Sequence, residues 1–155
     1  MKSWGVYILV ALGVIGYRAM TSADRDDSGA IIGGGSVDAF EIREGDCFDD
    51  ASSMDSISSL PAVPCTEPHD NEAYAVFDVS LSEYPGEDAM WEMAYDSCMD
   101  RFEGFVGKPY EESALDIFTM YPSPDSFRQN DREVVCAVFD MNANKLVGSA
   151  EGRAL

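Results

Sequence analysis

Four cysteines, Cys47, Cys65, Cys98 and Cys136, restrict what this 155-residue chain can fold into more than any other feature. No two of them form a Cys-x-x-Cys pair, the spacing that structural zinc sites and dithiol redox centres use. An even count in an exported chain reads as a disulfide framework, and four cysteines allow three connectivities. The pairing expected here is Cys47–Cys65 and Cys98–Cys136. The first brackets and closes a Ser-rich stretch. The second joins the apolar row of a predicted helix to the most hydrophobic predicted strand, both cysteines facing the core. Each bridge is expected to contribute roughly 2–4 kcal/mol by restricting the unfolded chain.

Export itself is read from the N-terminus. Lys2 precedes a charge-free run from Trp4 to Tyr17, and Arg18 ends it. The run suits a signal-peptide core and falls short of the ~20 residues that span a bilayer comfortably. Residues 1–23 are therefore expected to be a signal peptide cut after Ala23, or a single N-terminal anchor whose Lys2 and Arg18 snorkel. Either outcome leaves Lys2 inside and the rest of the chain outside. Residues 24–36, dominated by Asp, Ser and Gly, read as a flexible linker, and Gly33-Gly34-Gly35 has no strand-to-helix setting for a phosphate loop. The folded domain is expected over residues 37–155.

Charge excludes one class of partner. Ten Lys and Arg face 29 Asp and Glu, a formal net charge of −19, and every acidic residue lies at Asp24 or later. Such a surface repels phosphate backbones and anionic lipid heads, so no nucleic acid is expected as a partner. The 46% hydrophobic and 11% aromatic content is that of a folded domain.

Periodicity supplies the elements. Phe40–Phe48 reads as a first strand broken near Gly45-Asp46, and Asp49–Pro64 as a polar surface loop. Ala73–Val79 is a strand rich in β-branched and aromatic residues. Glu87–Val106 reads as a long amphipathic helix with Met90, Ala94, Cys98 and Phe102 at i, i+4 spacing and Trp91, Tyr95, Met99 and Phe105 alongside as core. Glu87 and Asp88 favour its first turn, and Gly107 and Pro109 stop it. Leu115–Tyr121 and Glu133–Met141 are strands, the latter central. Asn142–Asn144 turns the chain so that Lys145–Ser149 returns as a hairpin partner. The fold class is α+β: a small antiparallel sheet packed by one long amphipathic helix and held by two disulfides.

Chemistry-bearing patterns are few. His69, the single histidine, stands in Glu67-Pro68-His69-Asp70-Asn71-Glu72. Its neighbours suit a general base or a hard-cation ligand, yet no nucleophile is placed for a triad. His69 reads instead as a cap or bridge of the loop entering the next strand. Asp140–Glu151 nearly matches a calcium loop, but Lys145 occupies the position that needs Gly. A hairpin explains it better. The sequence singles out no carboxylate pair for glycoside hydrolysis. No catalytic residue, metal or cofactor is expected.

Gly45-Asp46-Cys47-Phe48, Val63-Pro64-Cys65-Thr66-Glu67-Pro68-His69-Asp70-Asn71-Glu72 and Tyr74-Ala75-Val76-Phe77 resemble the septum formation domain family. Tyr84-Pro85-Gly86, the helical Cys98, Phe105-Val106-Gly107, Asp131-Arg132 before Val135-Cys136, and Leu146-Val147-Gly148-Ser149 continue the resemblance over about residues 37–153. Two departures are an aromatic shifted to Phe127 and Ser149-Ala150-Glu151-Gly152 in place of a more basic ending. The resemblance implies a membrane-attached extracytoplasmic domain, mostly of actinobacterial type, with no catalytic residues to carry over. The expected function is a non-enzymatic interaction domain of the cell envelope, related to septum formation. Its partner is an envelope protein or cell-wall component, and its binding loop is formed by Glu67, His69, Asp70 and Glu72. Replacing His69 and Glu72 by Ala is expected to leave stability intact. The alternatives are an envelope hydrolase with a carboxylate site and a calcium-dependent binding module.

Overall fold

A computed structural model describes residues 22–51 and 57–155. The expected leader falls outside the described residues as far as Thr21. Among those described, no helix is long and apolar enough to cross a membrane.

The architecture is α+β. Among the described residues, eight strands, β1 (Asp24–Arg25), β2 (Ile31–Gly33), β3 (Gly35–Asp38), β4 (Cys47–Phe48), β5 (Ser59–Val63), β6 (Asn71–Asp78), β7 (Leu115–Met120) and β8 (Glu133–Asp140), accompany a long helix α1 (Glu87–Val106) and a short one, α2 (Pro124–Arg128). Six strands form one antiparallel sheet in the order β3-β5-β4-β6-β8-β7, and β1 pairs with β2 alone.

Both faces of this sheet are covered, and β8 records it. Val134, Cys136 and Val138 point to the helix side, while Val135 and Ala137 point to the other. A strand buried on both faces reads as a continuous apolar run rather than an alternating one. On the helix side, Met90, Ala94, Cys98, Phe102 and Val106 form one fully buried row along α1. The Tyr74 ring packs on Phe102 and Phe105, and its hydroxyl donates to the Cys98 carbonyl at 2.8 Å. Helix α1 ends at Gly107, whose φ of 80° lies in the left-handed region that closes helices, its N–H donating to Glu103. Both disulfides pair as expected: Cys47–Cys65 ties β4 to the end of β5, and Cys98–Cys136 ties α1 to β8.

The segment expected as a flexible linker is instead built into the fold. Within it, Ile31 is buried in the second core cluster with Val37, Phe48 and Leu60. A Cβ on Gly35 would lie 2.5 Å from the backbone of Ser22 and Ala23, so the glycine there permits two segments of the chain to pack closely. Arg25 grips Asp46 with both guanidinium nitrogens at 2.7 Å and also donates to the carbonyls of Gly29 and Glu41. Asp46 further accepts the Arg43 N–H and is buried.

Three other expectations are corrected. The first strand shrinks to Cys47–Phe48, because Asp38 caps a 3-10 turn at Ala39–Glu41. The loop Asp49–Pro64 contains β5, with Leu60 and Ala62 inward between the exposed Ser59 and Pro61. Polar outward residues hid the alternation. Pro61 is tolerated because its carbonyl faces Asp49, just beyond the end of the two-residue β4. Finally, Lys145–Ser149 forms no hairpin with β8, both of whose edges are taken by β6 and β7. Leu146 pairs with His69 instead.

Candidate functional site

The loop expected to bind a partner turns inward. His69 has no exposed surface and Glu72 is 1% exposed. His69 exchanges two main-chain hydrogen bonds with Leu146, at 3.0 and 2.8 Å. Its Nδ1 lies 2.8 Å from the Glu67 carbonyl. A carbonyl only accepts, so Nδ1 carries a proton, and Nε2 is buried without a hydrogen-bond partner among the described residues. Glu72 accepts the Ser149 hydroxyl and the Ala150 N–H, both at 2.6 Å. The Asp70 carboxylate takes the Lys145 ammonium at 2.8 Å and the Asp50 N–H at 3.0 Å. Burial pushes the Asp70 pKa up, but the lysine and the amide outweigh that and hold it below its ordinary value. Glu67 alone of the four is exposed.

These residues therefore clamp the start of β6 to the C-terminal tail beside the Cys47–Cys65 bridge, where the Cys65 carbonyl also receives the Gly148 N–H. This burial argues against the expectation that His69 and Glu72 are dispensable for stability. Glu72→Ala strands a buried amide and is expected to cost about 3 kcal/mol in a urea titration, while Glu67→Ala leaves the midpoint unchanged. The Glu72 carboxylate also lies within 4.8 Å of both sulfurs of the bridge. Disulfide sulfurs offer no thiolate, and both oxygens of Glu72 are already engaged, so this trio is not a ligand set. The calcium-like segment is likewise self-satisfied. Asp140 accepts from the Asn142 and Asn144 N–H groups and the Asn144 amide, while Lys145 reaches Asp49 and Asp70.

A concave surface that the sequence did not reveal lies where the start of α1 meets the ends of β7 and β8. It is a groove of about 740 Å³. Three aromatic rings stand open at it: Phe40, Trp91 and Tyr121, at 60%, 50% and 38% exposure. Trp91 is held by stacking on Tyr95, with ring centres 5.4 Å apart. Large apolar side chains rarely stay this exposed together without a binding role.

Among the described residues, all the charged ones lining the groove are acids. Glu87 and Asp88 come from the first turn of α1, Asp131 from the approach to β8, and Glu133 from the start of β8. The Glu133 carboxyl is held above its ordinary pKa by burial first, and then by its like-charged neighbours Asp131 and Asp78. Two lining hydroxyls, of Tyr84 and Thr119, are buried with no hydrogen-bond partner among the described residues. The wall is fixed from behind. Tyr84 packs edge-on against Phe127, the Arg132 guanidinium lies 3.4 Å above the Phe127 ring, and Arg132 donates to the carbonyls of Leu81, Phe127 and Asp131.

Sequence reasoning placed Trp91 in the core stripe of α1. One signal pointed elsewhere: Trp91 is one position, about 100°, off the Met90–Ala94–Cys98–Phe102 row and follows Glu87 by four, which puts it on an acidic face.

A protein-family model described as septum formation matches residues 44–154. The match includes all four cysteines, α1 and the groove residues other than those near Phe40. No curated protein and no solved structure matches the chain.

Proposed function

Since the chain belongs to the septum formation family, we propose that it acts outside the cytoplasm as a binding domain in septum formation, holding another envelope component in the groove beside Trp91. The observation that carries this reading is the groove itself, with open aromatic rings and unpaired hydroxyls on a rigid, disulfide-stapled frame. Aromatic anchors with polar groups around them are the usual composition of a recognition surface. The two disulfides suit an oxidising compartment. The reading asks for no catalytic step and no cofactor.

A strain whose only copy carries Trp91→Ala and Tyr121→Ala tests it. Both side chains are well exposed, so the variant is expected to be exported and to fold normally. The expected result is the septation phenotype of a strain lacking the protein, at unchanged protein level. Normal septation with that variant would remove the groove from the function.

A further inference from the structure

We propose that the groove receives an extended, basic peptide segment of a partner protein, laid along the edge of β7 where Thr119 faces the groove. This rests on the groove being the recognition surface, and it adds the chemistry of the occupant.

Strand β7 is an edge of the six-stranded sheet. In an antiparallel ladder, successive residues alternate between bonding the neighbour and facing away from it. The Leu115 N–H goes to the Ser113 hydroxyl at 3.0 Å and the Ile117 N–H to the Asp116 carboxylate at 2.7 Å, so both face away from β8. The pairing of β7 with β8 runs without a bulge from Leu115 to Met120. Alternation therefore places the Thr119 main-chain N–H and carbonyl in the same outward set, at the groove. The opposite edge differs: β3 is covered where Ser22 and Ala23 run beside Ser36. An open edge with main-chain donors and acceptors is a template for one more strand, and the lone Thr119 and Tyr84 hydroxyls lie beside it.

Charge complementarity selects the side chains of that strand. The groove carries Glu87, Asp88, Asp131 and Glu133, and no Lys or Arg lines it among the described residues. A cation entering beside Glu133 relieves its repulsion by Asp131, and the rings of Trp91, Phe40 and Tyr121 stand at the same groove. An acidic or neutral segment gains neither.

The test uses the full chain and an octapeptide alternating Lys and Thr, titrated calorimetrically at about 0.15 M salt, where long-range attraction is screened. Because the whole protein is acidic, a variant matched in charge is needed. Glu87→Gln/Asp88→Asn/Glu133→Gln removes three groove charges. Glu103→Gln/Glu111→Gln/Glu112→Gln removes three exposed charges elsewhere. The expected result is about tenfold or greater loss of affinity in the first and less than about twofold in the second. Trp91→Ala, which leaves the charge unchanged, is expected to weaken binding severalfold. Bound peptide is expected to slow amide exchange at Thr119. Equal weakening by both triple variants would reduce the effect to general attraction and overturn the proposal. So would binding of a β-1,4-linked N-acetylglucosamine hexamer in the groove with no binding of the peptide. If the Trp91→Ala/Tyr121→Ala strain fails to septate while the peptide does not bind, the functional reading stands and this inference falls.

Discussion

Replacing Cys98 and Cys136 together by Ala is expected to lower the unfolding free energy by about 4 kcal/mol, the largest effect of any substitution considered. The bridge closes a loop with a sequence separation of 38. Loop-closure entropy scales with the logarithm of that length, which gives about 4 kcal/mol against about 3 kcal/mol for Cys47–Cys65, with its separation of 18. The location adds to the entropic argument. Both cysteines are fully buried, one in the apolar row of α1 and the other in the strand that α1 covers. Thermal unfolding followed by circular dichroism should show the midpoint falling by roughly 15 °C for a domain of this size. A fall of a few degrees would mean that the apolar seam alone carries the α1–β8 contact.

The second large effect is expected at Arg25. Arg25→Ala leaves the Asp46 carboxylate buried with only the Arg43 N–H beside it. Removing one partner of a buried ion pair strands the other charge, at a cost of about 3 kcal/mol or more. The pair also pins β1 and β2 to the sheet, because Arg25 donates to Gly29 and Glu41 as well as to Asp46. Arg25→Ala is therefore expected to raise amide exchange across residues 24–33 before the rest of the domain opens. Combining it with Asp46→Asn should recover part of the stability, since no uncompensated charge remains. If Arg25→Ala is neutral, residues 24–36 behave as the linker that their composition suggests.

That segment shows where a sequence read without partners loses information. Its Asp, Ser and Gly content is what a linker has, and the residues that decide otherwise act at a distance. Gly35 allows a backbone approach that only the fold reveals, and Arg25 finds Asp46 twenty-one positions away. Strand β5 was obscured in the same way, because Ser59 and Pro61 interrupt the signal from Leu60 and Ala62. Elements with strong local period were fully readable. Helix α1 runs over the expected Glu87–Val106, and β6, β7 and β8 fall within a residue or two of their expected bounds. The cysteine pairing followed from placing those elements first.

The candidate site was less legible for a physical reason. The polar cluster Glu67–Glu72 looked like a binding loop because its residue types are reactive, yet burial is set by the C-terminal tail that folds over it. The groove draws Phe40, Trp91, Tyr121 and Glu133 from four separate parts of the chain. No local window contains that surface. Only the family resemblance, carried by motifs such as Cys65-Thr66-Glu67-Pro68-His69, pointed toward septum formation from sequence, and the family match over residues 44–154 agrees with it.

The central claim, a septal binding domain working through its groove, is tested most directly by imaging an export-competent fluorescent fusion in dividing native cells. The wild-type fusion is expected to concentrate at midcell, and the Trp91→Ala/Tyr121→Ala fusion to spread evenly around the envelope at equal abundance. Even distribution of the wild type, or midcell enrichment that the groove variant retains in full, would contradict the account.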